Sequence, residues 1–294
     1  MNAWLVSLLG GIALSGISVF GIGSTLASVI PVPADYDGEG RVDTAIYRDG
    51  VWSLFIFPPF SSSPSMRIGW GGAPQDIPLP ADYDGDGKAD LAVYRDGIWF
   101  IIRSSDGEQT TVEWGAEPQD MPLPRDYDGD GKADLAIYRD GVWFILRSSD
   151  GEQTNVDWGG VLSDVPVPAD YDGDGKADLA VYRDGVWFIL RSSDGGGSTV
   201  DLGGAAQDIP VPADYDGDRK VDVAVYRDGN WFIRRSSDEA VTVQTTAGWG
   251  VGAQDVLVPA DYDGDGKADP ALYRDGAWYI APSADPSCAG CWDY

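Results

Sequence analysis

From residue 76 the chain alternates short apolar runs with turn residues, reading DIPLPADYDGDGKADLAVYRDGIWFIIRSSDGEQTTVEWG to residue 115. Within Asp90–Arg95, Leu91 and Val93 fall on one side of an extended chain and Ala92 and Tyr94 on the other, the period of two that marks a strand. Asp96-Gly97 follows, two residues able to take the positive φ that a type I′ hairpin requires. Ile98–Arg103 reads as the returning strand. Ser105-Asp106-Gly107 turns the chain again, and Thr110–Trp114 supplies a further strand. Ahead of them Ile77–Pro80 is extended, because its prolines forbid a long helix and suit a strand end. The stretch predicts four antiparallel strands, with an acidic loop between the first and the second.

The same pattern recurs six times. The first aspartates of the loops are Asp35, Asp82, Asp126, Asp170, Asp214 and Asp261, at spacings of 47, 44, 44, 44 and 47 residues. A four-stranded unit of this period is a propeller blade rather than a helical hairpin. The prediction is an all-β fold, a six-bladed β-propeller of four-stranded antiparallel blades over residues 29–283. An uncharged apolar segment, 1–28, precedes it and a tail, 284–294, follows. Tyr recurs at 47, 94, 138, 182, 226 and 273, and Trp at 52, 99, 143, 187, 231 and 278. A second Trp series stands at 70, 114, 158 and 249, with Leu202 replacing it once. These rings are expected to fill the wedges between blades; if exposed, they would instead form sugar-stacking platforms.

Composition narrows the function. The formal net charge is −28, from 48 acidic and 20 basic residues. Such a chain does not neutralise a phosphate backbone, which argues against nucleic acid as a partner. Acidity of this degree often accompanies disorder, but 43% hydrophobic residues and 12 Trp argue for a packed core. There is no histidine, so the commonest general base and transition-metal ligand is missing. Paired carboxylates can hydrolyse glycosides, but the carboxylates here are grouped for another purpose, and no enzymatic activity is expected.

Half the acidic residues lie in the six loops, four in each. Counting from the first aspartate, positions 1, 3, 5 and 9 are acidic. They are Asp35, Asp37, Glu39 and Asp43; Asp82, Asp84, Asp86 and Asp90; Asp126, Asp128, Asp130 and Asp134; Asp170, Asp172, Asp174 and Asp178; Asp214, Asp216, Asp218 and Asp222; and Asp261, Asp263, Asp265 and Asp269. Two carboxylates ~6 Å apart repel by roughly 3 kcal/mol at an effective dielectric of ~20. A hard divalent cation with oxygen ligands relieves that repulsion. Calcium accepts six to eight oxygens in flexible geometry, whereas magnesium demands a stricter octahedron and keeps its waters. Up to six Ca2+ are therefore expected. Position 7, which is Arg41, Lys88, Lys132, Lys176, Lys220 or Lys267, would contribute through its backbone carbonyl only. Glycine at position 6 permits the sharp turn that brings this carbonyl round. The loops are not EF-hands: position 12 of the second is Val93, and no helices flank it. Glu39 is expected to weaken or reshape the first site, and Arg219, at the glycine position, to weaken the fifth or leave it empty.

The run PADYDGDGKADLAVYRDGVWFILRSSDG resembles the FG-GAP/VCBS-type repeats of secreted bacterial proteins, which are related in layout to the propeller heads of integrin α subunits. The resemblance covers residues 29–283. It implies that a calcium loop joins the first and second strands of each blade, and that the protein binds or scaffolds outside the cell. The YRDG hairpin is a departure, since many relatives have a longer Phe-Arg-Pro turn there.

The ends break the pattern. Six first, second and third strands can be found, but only five fourth strands. Either the N-terminal segment, for instance Ile17–Ile22, or the tail could pair with the last open edge. Residues 1–28 carry the apolar stretch and small-residue site of an export signal without its basic start. Their Gly and Ser content also suits a retained segment packed in a membrane or filament core. Cys288 and Cys291, in CAGC, suit a small disulfide, with inert thiols as the alternative; the rest of a zinc site is missing, and no βαβ context marks a redox pair. The sequence thus predicts a secreted or cell-surface, calcium-binding, non-enzymatic propeller with a structural or adhesive role. Its expected partners are other copies of itself, in an oligomer or fibre through the N-terminal segment, or a cell-surface protein or glycan. The alternative is a lectin-like propeller.

Overall fold

A computed structural model describes residues 29–56, 64–205, 208–246, 249 and 255–283. The N-terminal segment 1–28, the tail 284–294 and the Cys288–Cys291 pair lie outside the described residues.

Six antiparallel sheets follow one another along the chain, and the described residues contain no helix. In the second blade the strands are Ile77–Pro78, Leu91–Arg95, Ile98–Ile102 and Gln109–Glu113, within a residue or two of the expected bounds. Leu91 pairs with Ile102 and Arg95 with Ile98, so the turn falls on Asp96-Gly97. These two take φ of 49° and 84°, as a type I′ turn requires. Five sheets have four strands. Among the described residues the sixth has three, Val256–Leu257, Ala271–Arg274 and Ala277–Ile280.

Alternation along each strand divides the blade into two faces, and each face meets a different neighbour. Leu91 and Val93 pack with Trp52 and Leu54 of the first blade. Ala92 and Tyr94 pack with Leu135 and Ile137 of the third. The third-strand Trp of blades one to five is 0% exposed and Trp278 only 5%. Each such ring removes about 150–250 Å² from water, and the neighbouring Tyr meets it edge-on, as Tyr94 does Trp99 at 5.2 Å between centroids. These rings are wedge fillers, not surface platforms; of the second Trp series Trp249 is buried, whereas Trp70, Trp114 and Trp158 are partly exposed. The same packing closes the circle: Val258, Tyr273, Trp278 and Ile280 of the sixth blade cluster with Val29, Val42 and Ile46 of the first.

A ring of backbone hydrogen bonds accompanies the packing. In every loop the amide at position 8 donates to the carbonyl of the position 1 aspartate one blade back. Ala89 donates to Asp35, Ala133 to Asp82, Ala177 to Asp126, Val221 to Asp170 and Ala268 to Asp214, at 2.6–2.8 Å. Val42 donates to Asp261 at 2.8 Å and joins first blade to last. All six acidic loops thus lie on one face of the propeller, and the Asp-Gly hairpins lie at the opposite ends of the strands.

Candidate metal-binding loops

Each loop is held in shape by its own carboxylates. Asp82 accepts from the Gly85 amide at 2.6 Å and the Gly87 amide at 2.8 Å. Asp84 accepts from Asp86 and Asp86 from Lys88, at 3.1 and 2.9 Å. These side-chain-to-backbone bonds are why aspartate and glycine alternate here. Position 9 closes the loop. Asp90 accepts from the Tyr83 amide at 2.8 Å and, across the blade, from the Ser104 amide at 2.6 Å.

The folding brings acidic oxygens together. Three carboxylate oxygens, one per residue, lie within 4.8 Å of one another in Asp35, Asp37 and Asp43; in Asp82, Asp84 and Asp86; in Asp126, Asp128 and Asp134; in Asp170, Asp172 and Asp178; and in Asp214, Asp216 and Asp218. The sixth loop repeats the same hydrogen bonds, with Asp261 accepting from Gly264 and Gly266 and Asp269 accepting from Tyr262. Position 9 is the buried member: Asp90, Asp134, Asp178 and Asp269 are 0% exposed. Burial pushes the carboxyls of Asp90, Asp134 and Asp178 above the usual range, against the pull of the two amides. Burial likewise raises Asp222 to about 6 and Asp269 to about 7, with Asp216 and Asp263 respectively adding to the rise.

The position 7 lysines do not relieve this charge. Among the described residues no lysine forms an ion pair. Each instead lays its alkyl chain over the glycine at position 4 one blade back. A Cβ built on Gly38 would come within 3.1 Å of Lys88, and one on Gly129 within 2.8 Å of Lys176. Arg41 covers Gly264 in the same way and also pairs with Glu39. Glu39 is therefore turned toward Arg41, and the first loop gathers its positions 1, 3 and 9. In the fifth loop Arg219 takes φ of 70° and donates its amide to Asp214 at 2.8 Å, as the glycines at this position do. The left-handed backbone is kept there at a cost of roughly 1–2 kcal/mol.

Two sets of residues escaped the sequence reading. Paired serines from the turn after the third strand cover the loops. Ser104 Oγ donates to Asp86 at 2.9 Å and Ser105 Oγ to Asp84 at 2.5 Å. Ser148 and Ser149, Ser192 and Ser193, and Ser236 and Ser237 repeat the arrangement. The second set lies on the opposite face. Asp120 accepts from both guanidinium nitrogens of Arg139, at 2.5 and 3.1 Å, and from the amides of Ala116 and Glu117. Burial pushes its carboxyl up, but the Arg139 guanidinium and the amides outweigh it and hold the group below the usual range.

The donor set of the loops is all oxygen, carboxylate-rich and gathered, which fits a hard divalent ion. Residues 126–181, from the third loop through the second strand of the fourth blade, match the family model described as an FG-GAP-like repeat. No curated protein sequence matches the chain. Among solved structures, an Agrocybe aegerita lectin described as recognising non-reducing terminal N-acetylglucosamine superposes with a TM-score of 0.63 at 21% identity, over 89% of this chain and 78% of that one. A Photorhabdus luminescens Tc holotoxin pore gives 0.58 at 17% identity, over 85% of this chain and only 14% of the toxin's. A streptogramin B lyase gives 0.50 at 11% identity, over 86% and 90%. At these identities the likeness concerns the fold alone.

Proposed function

The chain is a β-propeller of FG-GAP-like repeats, and from that premise we propose that it is a calcium-binding scaffold of the extracellular space with a structural or adhesive role. One observation carries this reading. Every loop holds a fully or almost fully buried aspartate at position 9, beside carboxylates that no lysine neutralises. Burying a charge costs several kcal/mol; at Asp90 two backbone amides offset this only in part, and the Asp84 charge adds to it. Positions 1, 3, 5 and 9 would hold the ion with the carbonyl of position 7. A bound divalent ion supplies the missing positive charge. Six of them would bring the formal net charge from −28 to −16.

Calcium at millimolar levels is characteristic of the extracellular space, where low-affinity modules of this kind are saturated. The partners that suit such a scaffold are further copies of the chain or a cell-surface protein or glycan. The lectin reading is narrowed, because the third-strand Trp rings and Trp249 are buried and only Trp70, Trp114 and Trp158 are partly exposed. Calorimetric titration of chelator-stripped protein tests the proposal. Saturable calcium binding with a higher melting temperature supports it. A titration without heat, and a transition indifferent to both calcium and EGTA, overturns it.

A further inference from the structure

On the hairpin face, five of the six blade junctions hold a carboxylate in the same way. Asp76, Asp120, Asp164, Asp208 and Asp255 each precede the first strand of a blade and pair with an arginine 19 residues on, Arg95, Arg139, Arg183, Arg227 and Arg274. The arginine lies over a ring, as Arg139 does over Phe144 at 4.9 Å. The preceding blade places a tyrosine near the pair, and at the junction of the first and second blades its hydroxyl bonds the carboxylate: Tyr47 Oη donates to Asp76 at 3.1 Å.

The junction of the sixth and first blades keeps the arginine and the tyrosine but not the carboxylate. Arg48 ends the second strand of the first blade, as Arg95 does in the second. Tyr273 stands in the sixth blade where Tyr47 stands in the first, and Val29 takes the aspartate's place. Ser53 replaces the ring under the guanidinium. Arg48 is exposed, whereas its five counterparts are half-buried, and among the described residues it has no ion pair. Its charge still acts on the Tyr273 hydroxyl, as that of Arg139 acts on Tyr94.

We propose that Arg48 and Tyr273 form a binding site for a carboxylate group at the junction of the sixth and first blades. A guanidinium offering two parallel N–H donors, beside a phenol, selects a planar carboxylate over a spherical anion. The five occupied junctions are its template within the same molecule. The carboxylate has two possible sources. Residues 1–28 contain no acidic side chain, whereas 284–294 contain Asp285 and Asp293; the alternative is a carboxylate on another molecule.

The test uses the full chain, loaded with calcium and labelled with 15N-arginine. The Arg48 Nε–H signal, assigned by its loss in Arg48→Gln, is followed while acetate is added against acetamide and chloride at equal ionic strength. A saturable shift with acetate alone, weakened about five- to tenfold by Tyr273→Phe, supports the site and an external source. A shift seen only after Asp285→Asn and Asp293→Asn together, with Arg48→Gln cancelling the fall in melting temperature those changes cause, supports the site and assigns the chain's own tail. No saturable shift in either background, with Arg48→Gln and the Asn changes strictly additive, overturns it.

Discussion

The loop face and the hairpin face both tie each blade to the next, with opposite electrostatics. On the hairpin face each such aspartate meets an arginine, and Asp76, Asp120, Asp164 and Asp208 also accept from backbone amides, so the contact is made within the chain. On the loop face three carboxylates converge, and the nearby lysines turn their chains over glycine instead. The contrast teaches that charge alone does not identify a site. Asp120 and Asp134 are both buried acids in the same blade, but burial leaves Asp134 raised while Arg139 keeps Asp120 low. A group completed by its own chain stabilises the fold unconditionally, and one that is not depends on something in solution.

The largest effect expected from this comparison is at position 9. Asp134→Asn should cost about 3 kcal/mol in millimolar calcium, the stabilisation lost when a site filled to ~100 times its Kd is abolished. In EGTA the cost should be smaller, because no ion is lost and what remains is the one backbone amide, of Tyr127 or Ser148, that the asparagine cannot accept from. Urea denaturation under both conditions measures the difference. Next comes Asp120→Asn, which leaves Arg139 without its partner and should cost about 2–3 kcal/mol. That loss should be the same with calcium and with EGTA, and a calcium-dependent loss would erase the distinction between the faces.

The pH dependence is smaller and has a definite sign. Without calcium, Asp222 and Asp269 have folded pKa values of about 6 and about 7, above an unfolded value near 4. The folded state then holds the proton more tightly. The stability from these groups is complete below about pH 4 and is lost as pH rises through 6 to 7. Melting temperature in EGTA should therefore fall over that window, while saturating calcium, which favours the ionised carboxylates, should flatten or reverse the trend. The smallest effect is in the fifth loop. Arg219→Gly should stabilise the chain by about 1 kcal/mol, because glycine takes φ of 70° without strain; equilibrium denaturation reads it directly.

Much of this was legible in the sequence because it is local. The alternation of Leu91 to Tyr94 gave the strand and its two faces, Asp96-Gly97 gave the turn, and the acidic spacing marked the loops. That only three strands of the last blade fall among the described residues was legible too, as a count that came up one short. What escaped was contact between distant positions. Ser104 and Ser105 look like turn residues until the third strand brings them over Asp86 and Asp84. Lys88 offered a carbonyl on paper, yet its side chain crosses to Gly38 of the preceding blade. The pairing of Asp76 with Arg95 left a signal, an aspartate and an arginine 19 residues apart in five repeats and absent from the first. It was overlooked because neither residue sits in the acidic loop that dominates the repeat.

The most direct measurement is the number of calcium ions held per chain, by native mass spectrometry or elemental analysis after equilibration in millimolar calcium. The buried carboxylate of every loop predicts several ions, rising toward six, and their removal by EGTA together with a fall in melting temperature. Protein that retains no calcium under these conditions, and melts unchanged, would contradict the account.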